Sequence, residues 1–248
     1  MSIPRLYTDL AHLWPVLSPP AHYADEARVL RELAADHLGQ PEAGAPWRLL
    51  ELGVGGGHTL SHLTDVFQIT GVDRSEPMLA NARRLLPKAE LIQADMRSID
   101  LKRHFDVVFV HDSIDTLTNR ADVEAVLRVA WQHTRAGGMA CFAPTYDRTS
   151  FTDHETATDQ QRSDDGGLVL TYLSYVHDPD PEDDTFEMLL TYVINDGGLV
   201  TTAEDRIECG LFSRDEWQAM VSRAGFSVRV HVAPFWTLFV GSKRPRST

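Results

Sequence analysis

The chain has 248 residues, 43% hydrophobic and 24% charged, an ordinary globular composition that excludes a wholly disordered or fibrous protein. Asp and Glu total 36 against 23 Lys and Arg, and the formal net charge of -13 repels duplex nucleic acid and anionic membranes. Cys141 and Cys209 stand far apart without CxxC or zinc spacing, no apolar run approaches the ~18 residues of a bilayer span, and no charged-then-apolar leader opens the chain. A cytoplasmic protein with no nucleic-acid and no membrane partner is expected. The only basic patch, the tail Lys243, Arg244 and Arg246, reads as a solvated terminus.

Apolar residues at helical spacing (Ala27, Leu30, Leu33, Ala34, Leu38) predict a helix over 23–38, ended by Gly39 and the stretch 41–46. A short apolar run over 47–51 breaks into a glycine loop over 52–57, followed by a helix over 58–65. A strand over 69–73 leads to a helix over 75–86, with Ser75 as its N-cap. Strands over 91–94 and 105–110, a helix over 121–134 and a strand over 139–143 follow. Strands alternating with helices, each strand a continuous apolar run, predict a doubly wound, mostly parallel sheet buried on both faces. After Pro144 the runs 168–177, 185–194 and 199–209 alternate and are rich in Thr, Tyr and Val. The acidic turn 178–184 and Asn195-Asp196-Gly197-Gly198 separate them, so an inserted antiparallel β meander is expected. Ser213-Arg214-Asp215-Glu216 is a capping box for a helix to Ala224, and 226–232 and 236–240 read as two closing strands.

The chemistry concentrates in Glu51-Leu52-Gly53-Val54-Gly55-Gly56-Gly57, between a strand and a helix. Glycines let the backbone turn and approach a ligand, and the next helix offers free N–H groups. Asp73 ends the following strand about 20 residues on, where a carboxylate can bind both ribose hydroxyls of an adenosine ligand. A dinucleotide fingerprint needs glycine where His58 stands, and the carboxylate of Glu51 repels a pyrophosphate but suits an ammonium group. S-adenosylmethionine, with adenosine, an α-amino group, a sulfonium and no phosphate, fits better than NAD.

With these motifs the chain resembles the class I S-adenosylmethionine-dependent methyltransferases. Glu51-x-Gly53-x-Gly55-x-Gly57 matches their first motif, Asp73 the acidic end of the second strand, and Ala94-Asp95-Met96 the segment that flanks the adenine. The resemblance spans roughly residues 7–240 and implies a Rossmann-like seven-stranded sheet with a reversed final hairpin. Within the superfamily the chain is most similar to small-molecule enzymes, including the bacterial amino-sugar N,N-dimethyltransferases. The similarity rests on Tyr7 and Tyr23 in an N-terminal helical segment, Asp112-Ser113-Ile114 after the fourth strand, the inserted meander, and residues 211–217 before the last helix. In those sugar enzymes a histidine follows the Ser-Ile pair, at the position held here by Thr116. The implied organisation is one methyltransferase domain: an N-terminal helical lid (1–46), a cofactor-binding core (47–145), an inserted cap (146–210) and a final helix and hairpin (211–248).

The expected cofactor site comprises Tyr7, Tyr23, Glu51, Gly53, Gly55, Gly57, Asp73, Met78, Asp95, Met96 and His111. Met78 and Met96 can equally be core filling, and Asp95 can instead cap the turn before Ser98. His111 ends the fourth strand, where ligands enter open sheets; a structural histidine is the alternative. The expected reaction is N- or O-methylation of a small-molecule acceptor, with His111 or His154 as the base where one is needed. His58 and His62, spaced i,i+4, lack a third ligand, and the acidic turn 178–184 lacks the calcium-loop glycine and glutamate, so no metal is expected. Tyr146, His154, Tyr172 and Tyr175 either build the acceptor pocket or cover the sheet edge. The alternating strands leave one face free to roof that pocket or to form a homodimer. A nicotinamide-dependent oxidoreductase and a non-catalytic S-adenosylmethionine-binding module are the rival readings.

Overall fold

The computed structural model describes residues 3–39, 45–233 and 236–245, so residues 40–44 of the first loop and Arg246 of the basic tail lie outside the described residues. Five strands run parallel: β1 (Trp47–Leu52), β2 (Phe67–Asp73), β3 (Glu90–Gln93), β4 (Phe105–His111) and β5 (Thr134–Ala143). An antiparallel hairpin of β10 (Ser227–Ala233) and β11 (Trp236–Ser242) extends the sheet beside β5, giving the order β10-β11-β5-β4-β1-β2-β3. The central strands carry apolar side chains toward both faces because both are covered. One face packs on α2 (Ala24–Leu38), α3 (His58–Ser61) and α4 (Glu76–Leu85), with Leu30, Leu33, Leu60 and Leu79 in its core. The other packs on α5 (Arg120–His133) and α6 (Arg214–Arg223), through Val126, Leu127, Trp217 and Val221.

The expected caps form. The Ser75 hydroxyl accepts from the Met78 amide at 3.1 Å, and Ser213 and Glu216 close a reciprocal capping box. Two boundaries differ from the sequence reading by more than two residues. The helix after the glycine loop is one turn, His58–Ser61, because the chain bends through residues 62–66 to enter β2. The fifth strand begins at Thr134 rather than Met139, with a bulge opposite β4 between Phe105 and Val107.

The insertion is a four-stranded antiparallel sheet, β6 (Thr156–Arg162), β7 (Leu168–His177), β8 (Thr185–Asp196) and β9 (Leu199–Gly210). Strand β6 escaped the sequence reading because Thr-Ala-Thr-Asp-Gln-Gln-Arg is an exposed edge with no apolar alternation. The inner row of the sheet, including Leu170 opposite Ile194, Tyr172 opposite Tyr192 and Val176 opposite Met188, is not free. It packs on Leu6, Leu10, Leu13 and Leu17 of the N-terminal segment, which winds through short 3-10 turns and α1 (Trp14–Leu17). The outer face is mixed, with Thr171, Thr191 and Arg206 beside the exposed Leu173 and Val193.

Three polar contacts fix the N-terminal segment between core and meander. The Leu6 amide donates to the buried Asp205 carboxylate of β9 at 2.7 Å, the Asn81 side chain of α4 donates to the Ala11 carbonyl at 2.7 Å, and the Ser75 hydroxyl donates to the Tyr7 carbonyl. Asp205→Ala leaves a buried N–H without its charged acceptor. It should lower stability by about 1–3 kcal/mol, measured by chemical denaturation, and speed amide exchange over residues 5–17. An unchanged midpoint with unchanged exchange would rule out Asp205 as the clamp.

Candidate active site

The chain order of the sheet reverses between β1 and β4, whose connections leave toward opposite faces, and ligands of open α/β sheets enter such a crevice at the C-terminal strand ends. A cavity of about 270 Å³ opens here. Its floor is the glycine loop, its sides are the segments after β2, β3 and β4, and its roof is the N-terminal segment with Tyr7, Trp14 and Tyr23. Tyr7, Tyr23, Glu51, Gly53, Gly55, Gly57, Asp73, Met78, Asp95, Met96 and His111 all line it. Of the expected site residues, only His154 does not.

The loop is held to β2, the Gly53 and Val54 amides donating to the Val72 carbonyl at 2.7 and 2.9 Å. Gly53 has φ of +82°, and a Cβ there would fall 2.0 Å from the Ser113 hydroxyl oxygen, so the position accepts no side chain. The Ser113 hydroxyl in turn donates to the Leu52 carbonyl at 3.1 Å. Asp73 accepts from the Gly55 amide at 2.8 Å and the Ser75 amide at 2.8 Å, which aims the carboxylate across the loop. Burial raises its pKa, and the backbone donors oppose that shift.

Glu51 is buried, and its Oε2 has no hydrogen-bond partner among the described residues. Burial pushes its pKa well above the ordinary carboxylate range, His111 opposes the rise, and Asp112, Asp73 and Glu26 add to it. An orphaned buried carboxyl beside a glycine cradle is the environment that an ammonium group satisfies. Asp95 forms a two-pronged pair with Arg97 (2.6 and 3.0 Å), and Arg97 also reaches Asp122 of α5 at 2.8 Å. The Arg97 hydrogen bond holds the Asp95 pKa below the ordinary value. Asp95 therefore both ties its turn and lines the cavity. Carboxylates for ribose and ammonium groups, thioethers at Met78 and Met96, and a glycine floor fit S-adenosylmethionine.

His111 is buried at the end of β4, stacked on Phe109 (5.3 Å, 14°) and edge-on to Trp236 (5.0 Å, 73°). Its Nε2 lies 3.0 Å from Asp112 Oδ1 and 3.5 Å from Glu26 Oε2 of α2. Burial alone lowers the His111 pKa, but Asp112, Glu26 and Glu51 together push it up to about 9. Asp115, behind this group, is raised to about 8 by burial and by Asp112, while the Thr145 amide donates to both its oxygens at 3.2 and 3.1 Å.

Of the roof, sequence reasoning named Tyr7 and Tyr23 but missed Trp14. Trp14 donates its indole N–H to His58 Nδ1 at 3.1 Å and stacks on that ring, and burial lowers the His58 pKa to about 4, keeping it neutral. Glu26 was also missed: it sits among the charged residues of an amphipathic helix, and no local pattern sets it apart. The insertion sends no residue into this cavity. Tyr146 packs on Phe151 and Phe186, and Tyr172 joins the apolar layer under the meander. His154 lies at the exposed edge beyond them, its ring 4.9 Å from His177 and its Nδ1 2.6 Å from the Tyr175 hydroxyl. Its place just before β6, where its amide donates to the Val176 carbonyl of β7 at 3.0 Å, leaves it out of the cavity lining.

Residues 49–138 match the model of a methyltransferase domain. The chain is 31% identical over 209 residues to dTDP-3-amino-3,4,6-trideoxy-alpha-D-glucopyranose N,N-dimethyltransferase of Streptomyces venezuelae, covering 83% of this chain and 84% of that one. It is 30% identical over 210 residues to dTDP-3-amino-3,6-dideoxy-alpha-D-glucopyranose N,N-dimethyltransferase of Streptomyces fradiae, covering 83% and 78%. Among solved structures, the sugar N-methyltransferase KedS8 from Streptoalloteichus sp ATCC 53650 superposes with a TM-score of 0.80 at 26% identity, over 98% of this chain and 95% of that one. Fold and site define a Rossmann-like methyltransferase. The chain belongs to the S-adenosylmethionine-dependent methyltransferase family, and its cofactor is S-adenosylmethionine. No helix among the described residues is long and apolar enough to cross a membrane.

Asp73→Ala removes the carboxylate that spans the loop and faces the cavity. S-adenosylhomocysteine affinity, measured by calorimetry, should fall about tenfold or more, the worth of one charge-assisted hydrogen bond. An unchanged affinity would reject Asp73 as the ribose ligand.

Proposed function

We propose that this enzyme methylates an amine nitrogen on a small molecule of the amino-sugar nucleotide class for which its relatives are named. The observation that carries the reading is Asp112. This non-glycine residue holds φ of +40° at the mouth of the cavity, a conformation that costs about 1–3 kcal/mol and persists where a side chain must be aimed. Its carboxylate lies against His111 and accepts from the Thr145 hydroxyl at 3.3 Å. Together with Glu51 it favours a cationic amine over a carboxylate or phosphate acceptor.

When bound, the cofactor supplies a methyl group on a cationic sulfur, so the transfer is an in-line displacement governed by alignment. Glu51 would hold the ammonium group and Asp73 the ribose, while Met78, Asp95 and Met96 would flank the adenine. Tyr7, Trp14 and Tyr23 exclude water above the reacting centre. Asp112 draws in the acceptor amine, and His111 takes its proton. With Thr116 where the sugar enzymes carry a histidine, the imidazole comes from the end of β4 instead. In this reading residues 1–46 are the lid, 47–145 and 211–248 the cofactor core, and 146–210 a cap that acts by bracing the lid. A cytoplasmic setting suits the free buried thiols of Cys141 and Cys209. A homodimer through the meander would have to use its mixed outer face.

Purified protein incubated with S-adenosylmethionine and a dTDP-linked 3-amino sugar should give mono- and dimethylated product by mass spectrometry, while the 3-hydroxy analogue stays unmodified. Methylation of the hydroxy analogue in preference to the amine would overturn the assignment. Asp112→Asn should raise the acceptor KM several-fold with little effect on S-adenosylhomocysteine binding, read by steady-state kinetics and calorimetry.

A further inference from the structure

Behind the ring of His111 lies a carboxylate that does not line this cavity. Glu26, on the first turns of α2, is largely buried, and its Oε2 has no hydrogen-bond partner among the described residues; the contact it makes is the 3.5 Å approach to His111 Nε2. Burial raises the Glu26 pKa and His111 opposes that rise. The imidazole cannot turn away, because Phe109 stacks on it and Trp236 and Tyr23 meet it edge-on. Asp112 is the second partner of the same nitrogen, but its side chain is half exposed and open to the acceptor. Two carboxylates beside Nε2 favour a proton there and leave Nδ1 as the nitrogen to accept one.

We propose that Glu26 is the positioning residue of the methyl-transfer site, fixing the His111 tautomer so that Nδ1 receives the proton released from the acceptor amine. The nitrogen–carbon bond forms as the sulfur–carbon bond breaks, the electron pair of the broken bond stays on sulfur, and the proton shed by nitrogen passes to Nδ1. Glu26 follows Tyr23 by three residues, so the same segment that roofs the cavity also completes the proton acceptor. The groups facing His111 are Glu26 from α2, Tyr23 from the turn before it, Glu51 from β1, and Asp112 and Asp115 after β4. Of the carboxylates, Glu26 is the one outside the cavity wall that makes direct contact with the ring. For the rate measurements alone, the inference rests on the N-methylation reading.

The test uses the full chain labelled with 13C at histidine Cε1, the His111 signal being assigned by its loss in His111→Asn. An opposite charge stabilises the imidazolium, so Glu26→Gln should move the His111 titration midpoint down by about one pH unit. Glu26→Asp, which keeps the charge, should restore most of it. S-adenosylhomocysteine affinity should stay within about twofold in both variants. With the dTDP-linked 3-amino sugar as acceptor, the acidic limb of the kcat profile should move down with the midpoint in Glu26→Gln, and the plateau should fall about tenfold while KM holds. A His111 midpoint unmoved by Glu26→Gln overturns the proposal, as does a moved midpoint with an unmoved kcat profile. If wild-type enzyme does not methylate the amino sugar, the N-methylation reading fails while the His111 titration still decides whether Glu26 sets the ring.

Discussion

Between β1 and β4 the chain leaves the sheet toward opposite faces, α3 on one side and α5 on the other. The gap that opens there cannot be closed by the sheet's own helices. It opens strand ends that carry an acid and a base, Glu51 and His111, in a place where the surrounding core is apolar. Everything that makes this enzyme a methyltransferase is a response to that gap. The glycine loop floors it, the acid ends of β1 and β2 give it polarity, and the N-terminal segment roofs it.

The electrostatics follow from burial. Charges drawn out of water are costly unless paired, and the carboxylates here are paired unequally. Asp95 is neutralised by Arg97 and Asp73 is bonded to backbone amides, whereas Glu51 and Glu26 each keep a buried oxygen unsatisfied. His111 is the imidazole around which Glu26, Glu51 and Asp112 gather. A cationic ligand would supply the missing counter-charge, the same imbalance that raises the carboxyl pKa values. The arrangement also discriminates against dinucleotides, because a pyrophosphate would add negative charge to a site already in excess of it.

The meander reaches the site indirectly. Its inner row covers the leucines of the N-terminal segment, and that segment carries Tyr7, Trp14 and Tyr23 over the cavity. Residues far from the strand ends can thus alter the roof without touching the cofactor. The ion pairs of Arg120 with Asp184 (3.1 Å) and with Glu216 join α5 to the meander turn and to α6, so the cap is braced from the core side as well.

The sequence by itself determined what local physics controls. Continuous apolar runs between helical stretches identified the parallel sheet, alternation identified three of the four meander strands, and the glycine loop between Glu51 and a helix start identified the cavity floor. These features are legible because strand pleat, helix period and glycine's access to positive φ act within a few residues. Tertiary structure alone decided the rest. Trp14 meets His58 across 44 positions, Leu6 meets Asp205 across 199, and Glu26 meets His111 only because α2 docks on the face behind β4. The proton affinity of His111 likewise exists nowhere in the sequence, since it arises from three carboxylates brought together by packing and acting against desolvation. Periodicity reports which face of an element is apolar; which partner covers that face, and which charges are buried with it, is set by long-range contacts that no local pattern encodes.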